Sequence, residues 1–467
     1  MPQVRGHDRL PEHTGGLTMP ATEPLLIQAA ACAQRGETGR AETLIRQVLA
    51  RDPRHPGALF ELGRIANLKG DKRAAADCLQ KAIASQPDNG KFHSELGFVW
   101  IGLGDRQQAL RAFQRALEID PADADAISNM GTFHLGDGRL QEALAAYRRA
   151  LAIDPLHLNA RLNLGLALKN AVPPWHFPMM NDGPRNAVYD EAIRRVAPGR
   201  SVLDIGTGAG LLAMMAARAG ARSVASCEAV PWIAAKAREV VAANGLTDRI
   251  KLIAKRSTEL RIGPDLPERA EVLVTEVFST SGINEHVIPT VTHAHAQLLQ
   301  PGATVVPNAA SARAYLAGGP ALEGYFFVGR AAGFTLAAFN DFAQTDMGLD
   351  IHYVPHDVLS DDFEVFRFDL TRPPPQPEKR VIDVVATRPG RCFGVVQWLR
   401  LDLAEGLVYE NRPDPGATID SWGHLLYRFS QPVEVKPGDH VRLLAQHNRR
   451  VLLIADLPPA GVGAAPT

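Results

Sequence analysis

The sequence predicts a multi-domain chain: an all-α repeat array, then an α/β unit with a parallel sheet, then an antiparallel β unit. Three observations predict it. A 34-residue period runs through the first third. Short apolar runs then alternate with helical patterns around a glycine-rich turn. From about Ala309, strand-like alternation with Pro and Gly punctuation takes over. The 467 residues suffice for two to four domains, and 46% hydrophobic with 22% charged residues is ordinary for a globular chain.

The repeat comes first. Asp52-Pro53, Gln86-Pro87, Asp120-Pro121 and Asp154-Pro155 keep one phase. So do Gly36, Gly70, Gly104 and Gly138, each followed five residues later by Ala41, Ala75, Ala109 or Ala143. Gly63, Gly97, Gly131 and Gly165 form a third set. The pattern resembles the tetratricopeptide repeat, a helix–turn–helix unit. Small residues let the two helices approach closely, and proline ends one unit and starts the next. Units are expected at about 22–55, 56–89, 90–123 and 124–157, with a capping helix at 158–170. One unit cannot bury its apolar face alone, but a stack can. Such arrays bind peptides or partner proteins, so a protein partner of the repeats is expected.

After Ala171-Val-Pro-Pro174 the period stops. Ser201–Ile205, Ser223–Glu228, Ile250–Ala254, Ala270–Val277 and Ala303–Pro307 read as buried strands. Helical patterns such as Leu211–Ala219 and Val230–Asn244 lie between them, which means a parallel sheet covered by helices. Gly206-x-Gly208-x-Gly210 joins the first strand to the first helix, where glycines permit a tight turn and close ligand approach. Glu228 ends the second strand, a position that suits a carboxylate accepting from ribose hydroxyls. A dinucleotide site spaces its glycines G-x-G-x-x-G, whereas here the third comes one residue early. The form Asp204-x-Gly206-x-Gly208-x-Gly210 resembles the Rossmann-like class I S-adenosylmethionine-dependent methyltransferases. That resemblance implies S-adenosyl-L-methionine as cofactor, bound at this turn.

Glu276 lies at the end of the fourth apolar run, and Glu285 follows after a loop containing Gly282. In a doubly wound sheet ligands bind beyond the carboxyl ends of strands. Two carboxylates there can hold a guanidinium, which is planar and permanently charged, from two sides. Spacing alone reads equally well as two surface acids on one loop.

From Trp175 to about Asp456 the chain resembles the protein arginine N-methyltransferases. Trp175-His-Phe-Pro-Met-Met-Asn-Asp-Gly-Pro-Arg-Asn-Ala-Val-Tyr189 resembles the family's cofactor-covering N-terminal helix. Val-Thr-Glu276 through Glu285 matches its double-glutamate loop in spacing, and Ser421-Trp422 resembles its Thr-His-Trp loop. Repeats followed by Trp-His-Phe resemble type nine of the family. Cys227-Glu228-Ala229 and Lys255-Arg-Ser-Thr-Glu259 are closer to type seven. The resemblance implies methyl transfer to a substrate arginine, with Glu276 and Glu285 catalytic. It implies cofactor contacts from His176, Met179, Arg185, Asp204, Gly206, Gly208, Gly210, Glu228 and Glu259, with Arg185 on the cofactor carboxylate. Ser421 and Trp422 would line the substrate pocket. Ser421 departs from the family histidine, and His424 stands at the wrong offset. Trp175 and Met179 also fit as core side chains, and His293 and His295 as surface or packing residues.

The β unit is expected over 309–458, with strands at Glu364–Leu370, Val381–Ala386, Gly394–Leu403 and His440–Asp456. The resemblance implies a β-barrel with the site in the cleft between it and the cofactor domain, 171–308. It also implies a dimer arm within Tyr325–Phe342, hence a homodimer. Residues 1–21 and 459–467 are expected to be disordered. The net charge of -1 gives no basic field for nucleic acid. Cys32, Cys78, Cys227 and Cys392 lie far apart, so neither a metal site nor a disulfide framework is expected, and a reducing, cytoplasmic setting fits. Two alternatives stand beside the protein substrate: a methyltransferase of a small-molecule acceptor, and a catalytically inactive repeat scaffold.

Overall fold

The computed structural model describes residues 22–349, 351, 354–373, 376–413 and 422–457. The expected disorder at 1–21 and 459–467, and Ser421, lie outside the described residues. The chain divides into two compact units between Ala171 and Val172.

Among the described residues the first unit has nine helices: α1 (Glu23–Gln34), α2 (Thr38–Arg51), α3 (Pro56–Leu68), α4 (Lys72–Ser85), α5 (Gly90–Leu103), α6 (Arg106–Ile119), α7 (Ala124–Gly136), α8 (Leu140–Ile153) and α9 (Leu158–Ala171). The period appears in the capping. His55, Asn89, Asp123 and His157, each 34 residues apart, accept a hydrogen bond from a backbone N–H of the helix they open. It also appears in the packing. A Cβ at Gly63, Gly97 or Gly131 would lie 2.9 Å from Leu79, 2.6 Å from Phe113 or 2.7 Å from Tyr147. Only glycine lets these in-phase side chains of α4, α6 and α8 press against α3, α5 and α7.

The second unit opens with α10 (His176–Asn181) and α11 (Gly183–Val196). The segment expected as one helix is broken at Asp182, because Asp182 caps α11 and Pro184 cannot continue the ladder of α10. Then follow β1 (Ser201–Ile205), α12 (Leu211–Arg218), β2 (Ser223–Cys227), α13 (Pro231–Ala243), β3 (Ile250–Ile253), β4 (Ala270–Thr275), α14 (Val287–His293) and β5 (Leu299–Val306). The sheet is parallel, in the order β3-β2-β1-β4-β5. The chain reverses its direction across the sheet between β1 and β4, the switch point where such sheets open a crevice.

The remaining strands are β6 (Ala309–Gly318), β7 (Arg330–Ala331), β8 (Phe334–Thr335), β9 (Asp346–Leu349), β10 (Asp357–Val358), β11 (Phe363–Asp369), β12 (Glu378–Val385), β13 (Gly390–Ala404), β14 (Leu407–Glu410), β15 (His424–Val435), β16 (His440–His447) and β17 (Leu452–Asp456); α15 (Pro320–Phe326) follows β6. All their pairings are antiparallel. The hydrogen bonding forms a seven-stranded sheet around β6, β13 and β15 and a three-stranded sheet β12-β16-β17. Side chains join the two: Tyr427 Oη donates to the Leu452 carbonyl at 3.1 Å, and Ser430 Oγ to Asp456 at 2.6 Å. One apolar core runs from Leu203, Val272 and Val274 of the parallel sheet to Leu399, Leu401 and Phe429 of the β unit. The two therefore form one body, joined along a seam. His295 contributes to that seam through its Nε2, 2.9 Å from the Leu370 carbonyl.

Candidate active site

The site assembles where β1 and β4 end side by side, Ile205 being in register with Thr275. Gly206, Gly208 and Gly210 all take positive φ, at 84°, 51° and 88°. A Cβ at Gly206 would sit 2.6 Å from Val277, the residue after Glu276, so glycine is what allows the two strand ends to abut. No described atom lies within 4 Å of a Cβ built on Gly208, which leaves the turn open on that side.

Asp204 is fully buried beneath this turn. Its Oδ2 accepts from Thr207 Oγ1 at 2.8 Å and Ser226 Oγ at 2.7 Å. Burial raises its carboxyl to about 6 despite those bonds. Asp204 thus braces the turn from below. Glu228, just past β2, spans the turn: one oxygen accepts from Gly208 N–H at 3.2 Å, the other from Val230 N–H at 2.9 Å. His176 is close enough to Glu228 to feel its charge, although burial, the larger effect, lowers the imidazole pKa. Its ring stacks on Trp175 at 4.1 Å. Met179 is half-buried on α10, and Glu259 is exposed in the turn after β3, at the carboxyl edge of the sheet.

Arg185 is buried on the first turn of α11. One amino group meets Glu276 at 2.9 Å, with both side chains at most 5% exposed, and the other donates to Asn186 at 2.7 Å. Its guanidinium lies 5.1 Å from the Tyr189 ring and 5.7 Å from Trp422. Burial pushes the Glu276 carboxyl up to about 7, overcoming Arg185, and the Glu285 charge pushes the same way. Burial alone takes Glu285 to about 7 as well. The two glutamates lie on either side of the turn Ser279–Gly282, with Gly282 at φ 90°, close enough for the charge of Glu285 to act on Glu276. His286, next to Glu285, holds a positive φ of 65°, an uncommon conformation for a non-glycine residue that recurs at functional loops.

The β unit clamps this loop. Trp422 Nε1 donates to the Phe278 carbonyl at 3.1 Å, and the Trp422 carbonyl accepts from Thr280 Oγ1. Gln397 of β13 is fully buried and donates to the Thr280 carbonyl at 3.3 Å. Tyr409 of β14 packs edge-on against Trp422 and donates to Asp182, the cap of α11, at 2.8 Å. Sequence reasoning missed Tyr409, Gln397, Thr280 and Asp182. Asp182 followed by Gly-Pro carried a capping signal, whereas the other three act through hydrogen bonds between segments more than a hundred residues apart, which no local pattern reports. His424, at the wrong offset for an active-site histidine, points its Nε2 at the Asn411 carbonyl at 2.8 Å.

The residues fit S-adenosylmethionine. Arg185 keeps a buried Nε with no hydrogen-bond partner among the described residues, a donor suited to a carboxylate. The glycine turn lies open beside Glu228, which presents acceptors for hydroxyls.

Known proteins can be set beside this geometry. The tetratricopeptide-repeat family model matches residues 31–90, 69–124, 101–157 and 129–168. The model of the ribosomal protein L11 methyltransferases matches 189–306. An arginine N(omega)-methyltransferase of Streptomyces achromogenes subsp. streptozoticus is 36% identical over 274 residues, 58% of this chain and 75% of that protein. Protein arginine N-methyltransferase 7 of Drosophila simulans is 34% identical over 264 residues, and the match covers 35% of that longer protein. Among solved structures, the Trypanosoma brucei PRMT1 enzyme–prozyme complex with AdoHcy aligns with a TM-score of 0.54 at 19% identity, over 61% of this chain and 93% of that one. Arabidopsis thaliana protein arginine methyltransferase 10 aligns with a TM-score of 0.50 at 20% identity, over 61% of this chain and 92% of that one.

Proposed function

Because the chain belongs to the S-adenosylmethionine-dependent arginine N-methyltransferases, we propose that it methylates arginine side chains of a protein or peptide, recruited by its tetratricopeptide repeats. The observation that carries this reading is the carboxylate pair beside the cofactor turn, Glu276 buried and Glu285 half-buried, both largely removed from water. S-adenosylmethionine supplies an electrophilic methyl group on a sulfonium sulfur. The chain's own residues do the rest by positioning and electrostatics. Glu228 holds the ribose hydroxyls. Arg185 offers its guanidinium to the cofactor carboxylate while keeping Glu276 in place. Glu276 and Glu285, ionised, grip the substrate guanidinium and turn one nitrogen toward the methyl group. Trp422 covers the pocket, and Gln397 and Thr280 hold its loop still. The methylated guanidinium passes its extra proton to a carboxylate of the pair and on to water, so no strong base is required.

A second reading, methylation of free arginine, is supported by the Streptomyces relative, whose name specifies arginine and not a protein. Labelled S-adenosylmethionine offered with arginine-rich peptide, lysine-rich peptide and free arginine separates the two. Label on peptide arginine that vanishes in Glu276→Gln supports the first reading. Label on free arginine alone overturns it in favour of the second.

The chain also forms a homodimer in this proposal. Tyr325, Phe334, Phe339 and Phe342, 53–79% exposed around α15 and the β7–β8 hairpin, offer an aromatic surface for a second copy. A monomer mass in light scattering at micromolar concentration would count against it.

A further inference from the structure

Helix α9 is half of a repeat. It keeps the phase of the array: His157 caps it as His55, Asn89 and Asp123 cap α3, α5 and α7, and Gly165 continues the series Gly63, Gly97, Gly131. In the three complete repeats that carry this glycine it is buried under the next helix, by Leu79, Phe113 or Tyr147. Gly165 is exposed, and no described atom lies within 4 Å of a Cβ built on it. The residues that α9 turns toward α7 and α8, Ala160 and Ala167, are buried. On the face that α7 gives to α8, the position of buried Ser128 is taken by Leu162, 55% exposed. Leu158 and Leu166, one turn to either side, are 65% and 57% exposed.

We propose that this face of α9 is a docking site for an amphipathic helix of a partner protein, which completes the fifth repeat in trans. The complete repeats define its chemistry. They seat an alanine (Ala75, Ala109 or Ala143) and, four residues on, a bulky apolar side chain over the glycine. The docking helix therefore carries a small residue followed four positions later by Leu, Phe or Tyr. It carries acidic residues opposite Arg161 and Lys169, because these are the charged residues of α9 and both are cationic. A second copy of α9 lacks that complement, since it would set these cations against each other.

The test uses the full chain and a helix-constrained peptide copying residues 140–153, with Arg148→Glu and Arg149→Glu on its solvent face. Fluorescence anisotropy of the labelled peptide should show saturable binding. Leu162→Asp should weaken it by about tenfold or more, the effect of losing an interface anchor. Gly165→Leu should do the same by filling the socket. Both positions are exposed and Gly→Leu favours a helix, so circular dichroism should stay unchanged. No saturable binding to the wild type, or binding that survives both substitutions, would overturn the proposal. So would a wild-type dimer that Leu162→Asp converts to monomer, which would assign the face to a second copy. Cofactor affinity reports separately on the catalytic reading and stays unaffected in every arm.

Discussion

Glu276 and Glu285 carry carboxyls that burial holds near neutrality, and this sets how the site responds to pH. The guanidinium stays charged, so it binds the ionised pair. Acceptor kcat/KM should rise as pH increases through about 7 and level off above, and Glu285→Gln should flatten the profile while lowering activity by about 100-fold or more. Stability runs the opposite way. A carboxyl whose folded-state value lies above its ordinary 4.5 favours the native state at low pH, and that advantage is lost as pH rises from about 4.5 through 7. Thermal melts from pH 5 to 8 should therefore fall less steeply in Glu285→Gln than in the wild type. Arg185 is the third member of the cluster. Arg185→Ala leaves the Glu276 carboxyl buried without its partner at 2.9 Å, which costs about 3–5 kcal/mol if Glu276 stays ionised. Calorimetry should then show weakened cofactor binding, because the same change removes the cation offered to the cofactor. The two glutamates were legible as a spaced pair. Their burial, full for Glu276 and partial for Glu285, was not, because it depends on contacts such as that of Trp422, more than a hundred residues away, with the loop.

At the level of elements, the repeat helices were readable nearly to their ends because proline, capping side chain and glycine recur in phase. Gly97 illustrates the constraint. Gly97→Ala improves helix propensity yet puts a Cβ 2.6 Å from the Phe113 ring, and overpacking should win by about 1–3 kcal/mol. The melting transition of the repeat unit should drop accordingly, with cofactor affinity unchanged. The loop holding Glu276 and Glu285 is set by a different kind of constraint. Trp422→Phe keeps the ring but removes the N–H that reaches the Phe278 carbonyl, so acceptor KM should rise while the fold stands. The expected single helix over 175–189 is two, and Asp182 is the reason: it caps α11 and also receives the Tyr409 hydroxyl from β14. The capping half of that role is local and readable, whereas the bond to β14 is not.

Across the whole molecule, the apolar core of residues 172–457 is continuous from parallel sheet to β unit, while the repeats bury their own. A chain beginning at Val172 should therefore retain cofactor binding measured by calorimetry and lose only recruitment of partners. Among the described residues no helix is long and apolar enough to cross a membrane. The sequence by itself determined the order of the parts, the period of the repeats, the glycine turn and the spacing of the acids, because each is written in residues near one another in the chain. Tertiary structure decided that Asp204 lies beneath the turn and not at its surface. It decided that Arg185 meets Glu276, and that strands β13 and β14 reach back to hold the loop between Glu276 and Glu285 and the cap of α11. Those outcomes depend on which strand ends lie side by side and on which groups lose water when they do. Both follow from strand register and chain crossing, and neither is set by any neighbouring residue.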